Sequence, residues 1–268
     1  MKPPHFTALT NIAGVAGLFV ADDFGKPHSV TDKDDGTPVT PIDIQINEYL
    51  ADRAKDWGHG FLGEEGNGAE DAEYTFFVDP LDGTGAYIRG MATATVIISV
   101  MHYGEPISAV IHNPITKQMW VAGKGEGAWY ARGDTELVRT YVAKNPQKRW
   151  RTAICAWPGV GENFTHFQAS VLADSRFNDQ QMGAIGLGGG LIASGTLHAT
   201  AYGATSAVET AAMSLIVREA GGIAIDLLGN PLERFELGEH KGKTDFLLPH
   251  GAIIACNQHV AEALLSFY

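Results

Sequence analysis

Apolar residues recur at helical spacing from about His5 to Phe24, and again in TPIDIQINEYLADRAKDWG, where Thr40 stands at the N-cap position. This pattern predicts two opening helices. The period then changes. YTFFVD is a β-rich run, and further strands are predicted in ATVIISVMHYG, PISAVIHNP, QMWVAGK and GAWYARG, joined by the hairpin turns YGEP, NPIT and GKGEG. Consecutive strands linked by such short turns describe an antiparallel meander.

The polar stretch VAKNPQKRW marks a seam, after which helix and strand alternate. Strand RTAICAW is followed by a helix around Thr165 to Ser175 and by the small-residue segment GAIGLGGGLIASG. A helix in SAVETAAMSLIVREAGG stops at glycine, and strand IAID, strand GAIIACN and a terminal helix close the chain. Residues 1–146 are thus expected to form an N-terminal α+β domain, with two helices and the meander, and residues 147–268 a C-terminal α/β domain.

A chain of 268 residues that is 45% hydrophobic can bury a substantial core. Its formal net charge of -12 repels nucleic acid and anionic membrane surfaces. A small ligand is therefore expected, and an anionic one needs a local cationic device such as bound metal. The longest apolar stretch, Ile12 to Val20, is too short to span a bilayer. The start MKPPHF lacks the basic region and apolar run of a secretory signal. Cys155 and Cys256 sit in apolar, strand-like runs suited to reduced, buried thiols. These features predict a cytoplasmic enzyme or binding protein.

The candidate chemistry lies in FFVDPLDGTGAY. A strand ending there presents Asp79 and Asp82 from one tight turn, with the backbone fixed by Pro80 and opened to close approach by Gly83. Like charges so close are costly unless a cation shares them, and oxygen ligands suit Mg²⁺. A helix beginning after Gly83 would add free N–H groups and the Thr84 hydroxyl, which can hold a phosphate oxygen. Turn and helix capping by the two aspartates is the competing reading of this motif alone. Upstream, FLGEEGN places Glu64 and Glu65 in a Gly-flanked loop about 15 residues before Asp79, within reach of one supersecondary unit. The run GLGGG, Gly186 to Gly190, lacks the surrounding βαβ unit of a dinucleotide site and is read as a helix packed through small residues.

Together GEE at Glu64, DPLDGT at Asp79 to Thr84, GKGEGAW at Gly123 to Trp129 and REAGG at Arg218 to Gly222 resemble the inositol monophosphatase family of metal-dependent, lithium-sensitive phosphatases. The resemblance runs over nearly the whole chain. It implies a five-layer αβαβα sandwich of the sugar-phosphatase type, a fold on the α+β to α/β border. It implies two or three Mg²⁺ ions, for which Mn²⁺ can substitute, held by Glu64, Asp79, the carbonyl of Leu81, Asp82 and Glu209. Thr84 and Glu64 are implied to activate the attacking water, with Asp43 hydrogen-bonded to Thr84. The implied substrate contacts are Asp82, Gly83, Thr84, Gly183, Ala184, Tyr202 and Glu209. The implied reaction is in-line hydrolysis of a small phosphorylated metabolite by metal-activated water. A homodimer follows by analogy, with neither nucleic acid nor membrane as partner.

Two departures bear on specificity. The family usually has Trp-Asp where this chain has Val208-Glu209; the added methylene carries the Glu209 carboxylate further out, and a helix-start glutamate favoured by the macrodipole is the competing reading. Inositol-cleaving relatives carry a glutamate where this chain has Tyr202, and a phenol cannot accept as a carboxylate does. This weakens inositol phosphate itself as the substrate without excluding it, and a small polar alcohol phosphate, inositol-1-phosphate-like, is expected. AYIRGMATATVIISV and KDDGTPVTPID resemble the histidinol-phosphate and nucleotide 3'-phosphate branches, which stay open as alternatives, as does a catalytically impaired phosphate- or metal-binding member.

Overall fold

The computed structural model describes residues 6–26, 29–33, 36–67, 72–144, 149–155, 162–203, 205–235, 238–240, 243–245 and 247–268. Parts of MKPPHF, KDDGTPVTPID, VAKNPQKRW and RTAICAW lie outside them. The helices are α1 (Phe6–Asp23), α2 (Pro41–Asp56), α3 (Thr84–Ile88), α4 (Glu162–Ala173), α5 (Ile185–Ala193), α6 (Ala207–Glu219) and α7 (Gln258–Leu265). A short hairpin, β1 (Thr31–Asp32) and β2 (Pro38–Val39), precedes the main sheets.

The large sheet takes β3 (Gly60–Gly63), β4 (Gly66–Asn67), β5 (Tyr74–Asp82), β6 (Thr95–His102), β7 (Glu105–Asn113), β8 (Gln118–Gly123), β9 (Gly127–Arg132) and β10 (Val138–Arg139). Their spatial order is β10-β9-β8-β7-β6-β5-β3-β4, so β5 to β9 form the expected meander. The second sheet takes β11 (Trp150–Cys155), β12 (Phe177–Asp179), β13 (Ala199–Tyr202), β14 (Ile223–Ile225) and β17 (Ala252–Ala255), in the order β12-β11-β13-β17-β14. A second hairpin, β15 (Gly238–His240) and β16 (Lys243–Asp245), stands apart.

Helices α1 and α2 cover one face of the large sheet, α5 and α6 lie between the sheets, and α4 and α7 cover the far face of the second sheet. This is the expected αβαβα sandwich. It explains why the strands read as unbroken apolar runs. Phe76, Val78, Val96, Ile98 and Val100 pack toward α1 and α2, while the alternate residues Phe77, Ile97 and Met101 pack toward α5, α6 and the second sheet. A strand covered on both faces has no solvent-facing row, so neither set of alternate positions is given over to charged or strongly polar residues.

The glycine run packs as anticipated. A Cβ on Gly186 would lie 2.5 Å from Ile97 Cδ1, and one on Gly190 would lie 2.5 Å from the Trp120 ring, so only glycine lets α5 sit this close to the sheet. Burial pushes the free thiols Cys155 and Cys256 up to about 11, which keeps them protonated and unreactive.

Some elements differ from the sequence expectation. Helix α4 spans Glu162–Ala173, a little upstream of the Thr165 to Ser175 estimate. Strands β3, β12 and β13 were not predicted. β3 is short and glycine-bounded, and its burial comes from parallel pairing with β5, a long-range contact that leaves no local period. β12 and β13 are likewise short and pair in parallel with β11.

Candidate active site

The DPLD segment is not a tight turn after a strand. It is an irregularity inside one. β5 continues to Asp82, with Asp79 paired to Ile97 and Asp82 paired to Thr95. Three steps along β5 therefore match two along β6, the count of a β-bulge. The local chemistry gives the cause. Pro80 has no N–H for the ladder, and the Leu81 N–H turns to Asp79 Oδ1 at 3.0 Å. Residues three apart in a regular strand point to opposite faces; the bulge returns Asp82 to the side of Asp79.

Long-range contacts then fix each carboxylate. Asp82 Oδ1 accepts from Ile185 N and Oδ2 from Gly186 N, both at 2.8 Å, so Asp82 satisfies the first amides of α5 from 103 and 104 residues away. Thr95 Oγ1 donates to Asp82 Oδ2 at 2.6 Å. Glu209 enters from the N-terminus of α6, capped by Ser206. Asp79, Asp82 and Glu209 each offer an oxygen within 4.8 Å of the other two. Only 2% of Asp79 and 4% of Asp82 is exposed.

Electrostatics marks this group as incomplete by itself. Burial, reinforced by Glu64 and Asp82, raises Asp79 well above the usual carboxylate range. Burial pushes Asp82 up to about 6 despite the opposing hydrogen bonds from Thr95, Ile185 and Gly186. Burial, then Asp82 and Glu64, pushes Glu209 up to about 8. Among the described residues no lysine or arginine forms an ion pair with these three. Crowded and oxygen-only, with Asp79 and Asp82 buried and Glu209 half-buried, and with no ion-paired lysine or arginine, the set fits a hard divalent ion.

Glu64 stands at the rim. Its N–H donates to the Val78 carbonyl at 3.1 Å, which anchors it beside Asp79, and it forms the turn between β3 and β4 with Glu65. Its carboxylate pairs with Lys33 Nζ at 2.7 Å, and Lys33 also binds Glu65. Burial alone would lower the Lys33 pKa, but Glu64 and Glu65 outweigh it and raise it. Burial pushes Glu65 up to about 7 against the pull of Lys33.

Behind the carboxylates, Thr84 Oγ1 lies 2.9 Å from Asp43 Oδ1 and 2.8 Å from the Leu81 carbonyl. The hydrogen bond expected between Thr84 and Asp43 is present. Asp43 is buried, not an exposed helix charge, and its Oδ2 accepts from Thr40 N at 2.8 Å and from the Thr40 hydroxyl. One aspartate thus closes the start of α2 and holds Thr84.

Gly83 has φ +83, and a Cβ there would sit 2.7 Å from the Gly183 carbonyl and 2.8 Å from the Ala184 Cβ. Gly83, Gly183 and Ala184 are therefore brought together across the junction of the two halves. Tyr202 is 2% exposed, and its hydroxyl donates to the Ile185 carbonyl at 3.2 Å, which packs the phenol beneath α5. Sequence reasoning missed Thr95, the amides of Ile185 and Gly186, Lys33 and Thr205. Lys33 stood in KDDGTPVTPID, Thr95 in AYIRGMATATVIISV, and Ile185 and Gly186 in GAIGLGGGLIASG, but nothing local to those stretches gives these groups a role at the site.

Comparison with known proteins decides the family. A model of the inositol monophosphatase family matches residues 3–266. The chain belongs to the inositol monophosphatase family. An inositol-1-monophosphatase of Mesorhizobium japonicum is 27% identical over 97% of this chain and 95% of its own length. A histidinol-phosphatase of Mycobacterium tuberculosis is 29% identical over 74% of this chain and 77% of its own. The solved structure of the extragenic suppressor protein suhB from Bartonella henselae matches with a TM-score of 0.80 at 25% identity, covering 96% of this chain and 95% of that one. The family consists of metal-dependent phosphatases that act on small phosphorylated substrates, and the acidic cluster suits that dependence. No helix among the described residues is long and apolar enough to cross a membrane.

Proposed function

We propose that the protein is a Mg²⁺-dependent phosphomonoesterase acting on a small polar alcohol phosphate, inositol 1-phosphate-like, with histidinol phosphate or a nucleotide 3'-phosphate as alternatives in the same family. The observation that carries the reading is the convergence of Asp79, Asp82 and Glu209 within 4.8 Å, next to the hydrogen-bonded pair Thr84 and Asp43.

Two or three divalent ions held by Glu64, Asp79, the Leu81 carbonyl, Asp82 and Glu209, Mg²⁺ or Mn²⁺, would supply charge neutralisation and lower the pKa of water near neutral pH. The rest falls to the chain. Thr84 Oγ1 and Glu64 orient the attacking water for in-line approach to phosphorus. Asp43, held by Thr40, fixes the direction of the Thr84 hydroxyl. The N–H groups that open α3 receive a phosphate oxygen, and Gly83 keeps that path clear of a side chain. Gly183 and Ala184 face the hydroxyls of the leaving alcohol. Phosphoryl transfer depends mainly on positioning and charge, so no covalent nucleophile is required. By analogy the protein works in the cytoplasm as a homodimer.

The test is phosphate release from inositol 1-phosphate, histidinol phosphate, fructose 1,6-bisphosphate and adenosine 3',5'-bisphosphate, with Mg²⁺ and with chelator. Metal-dependent release from one of them supports the reading. Cation binding without release from any member would make the protein a binding module instead.

A further inference from the structure

Glu209 serves two masters with one carboxylate. Its Oε2 accepts from Ser206 N at 2.9 Å, from Ser206 Oγ at 3.1 Å and from Thr205 Oγ1 at 3.2 Å. Three donors crowd that oxygen, while the carboxylate still offers an oxygen within 4.8 Å of those of Asp79 and Asp82. Thr205 is itself held. Its carbonyl accepts from Leu248 N at 2.9 Å, and its hydroxyl lies 2.9 Å from that of Thr210, which is fully buried in α6. Each hydroxyl has one proton. With the Thr205 proton on Glu209, Thr210 donates to Thr205, and the donors run in one direction from the helix interior to the carboxylate.

This matters because glutamate has one more rotatable bond than aspartate. A longer side chain on a buried ion site must be held from outside, or its rotamer freedom opposes binding. Ser206 alone would make an ordinary capping box. Thr205 adds a donor that helix capping does not require.

We propose that Thr205 is a positioning residue that clamps Glu209 against Asp79 and Asp82 and so sets the affinity of the site for a divalent cation. The inference rests on the metal-dependent reading given above. It is tested by calorimetric Mg²⁺ titration and by the Mg²⁺-induced shift in unfolding temperature, for the parent, Thr205→Val, Thr205→Ser, Glu209→Asp and the Thr205→Val/Glu209→Asp double variant. Outer hydrogen-bond partners of metal ligands are worth about 10- to 100-fold in affinity, so Thr205→Val is expected to raise the Mg²⁺ midpoint by about tenfold or more. Thr205→Ser, which keeps the hydroxyl, retains the parent midpoint. An aspartate at 209 falls a methylene short of the Thr205 donor, so Thr205→Val produces no further change in that background. A Thr205→Val protein with a lower unfolding temperature but the parent midpoint would reduce Thr205 to a structural role and overturn the proposal. Equal shifts in both backgrounds would do the same. If Thr205→Val does not fold, Thr210→Val removes the hydroxyl that orients Thr205, and an unchanged midpoint there is equally fatal. A parent that binds no Mg²⁺ would instead bring down the metal-dependent reading, and this inference with it.

Discussion

Thr84 donates to Asp43 at 2.9 Å across 41 residues of sequence, and Asp43 is held in turn by Thr40 at the start of α2. The Thr84 hydroxyl, two residues after Asp82, is therefore aimed by a helix on the outer layer. Thr84→Val keeps the shape and loses the donor. Steady-state assays at saturating Mg²⁺ are expected to show kcat reduced by roughly 10²- to 10⁴-fold, the span for a positioned proton-handling group. The fold should lose about 1–3 kcal/mol, because the buried Asp43 Oδ1 loses its donor. A variant with near-parent kcat would remove Thr84 from the mechanism.

Asp82→Asn is expected to abolish metal-dependent turnover, but not without structural cost. Asp82 takes two amides of α5 and the Thr95 hydroxyl, and an amide group cannot accept all three. One buried donor is left unpaired, for about 1–3 kcal/mol of lost stability. Chemical denaturation would show this as a lower midpoint at unchanged slope. Parent-like stability would mean that the α5 amides do not depend on Asp82.

Metal and pH are linked through the same carboxylates. Asp82 moves from 3.8 to about 6 and Glu209 from 4.5 to about 8. A folded pKa above the unfolded one means the native state binds the proton more tightly. That contribution is full below about pH 4 and is lost as the pH rises through 6 and then 8. Chelated protein should thus lose stability between pH 5 and 8, on the scale of these shifts. Saturating Mg²⁺ binds the ionised form, so the gap in unfolding temperature between metal and chelator should widen across that window. Scanning calorimetry that finds a constant gap would argue against these groups as ligands.

Gly83→Ala tests the contact between the two halves. At φ +83 a side chain is strained by about 1–2 kcal/mol, and the added Cβ meets the Gly183 carbonyl at 2.7 Å. Unfolding temperature should fall and activity should fall with it, because the same glycine begins α3. A stable, active Gly83→Ala protein would show that the approach of Gly183 is not tight.

How much of this was legible in the sequence varies by element. The meander was, because β6 to β9 are apolar runs joined by short turns. The position of DPLDGT at the end of an apolar run was visible, but the bulge within β5 was not, since it arises only when Pro80 fails to pair with a neighbouring strand. Parallel strands β3 and β13 escaped notice because their partners are distant in sequence.

By itself the sequence determined the chemistry available: carboxylates around a proline, a glycine able to take positive φ, a threonine behind them, and helices and strands set by local period. Tertiary structure decided which groups meet. Glu209 joins Asp79 and Asp82 only because α6 packs between the sheets, and Tyr202 turns to the Ile185 carbonyl because the second sheet buries it. Local propensity reaches a few residues, whereas a buried polar cluster is selected by the cost of leaving any of its members unpaired, and that cost exists only once the layers close.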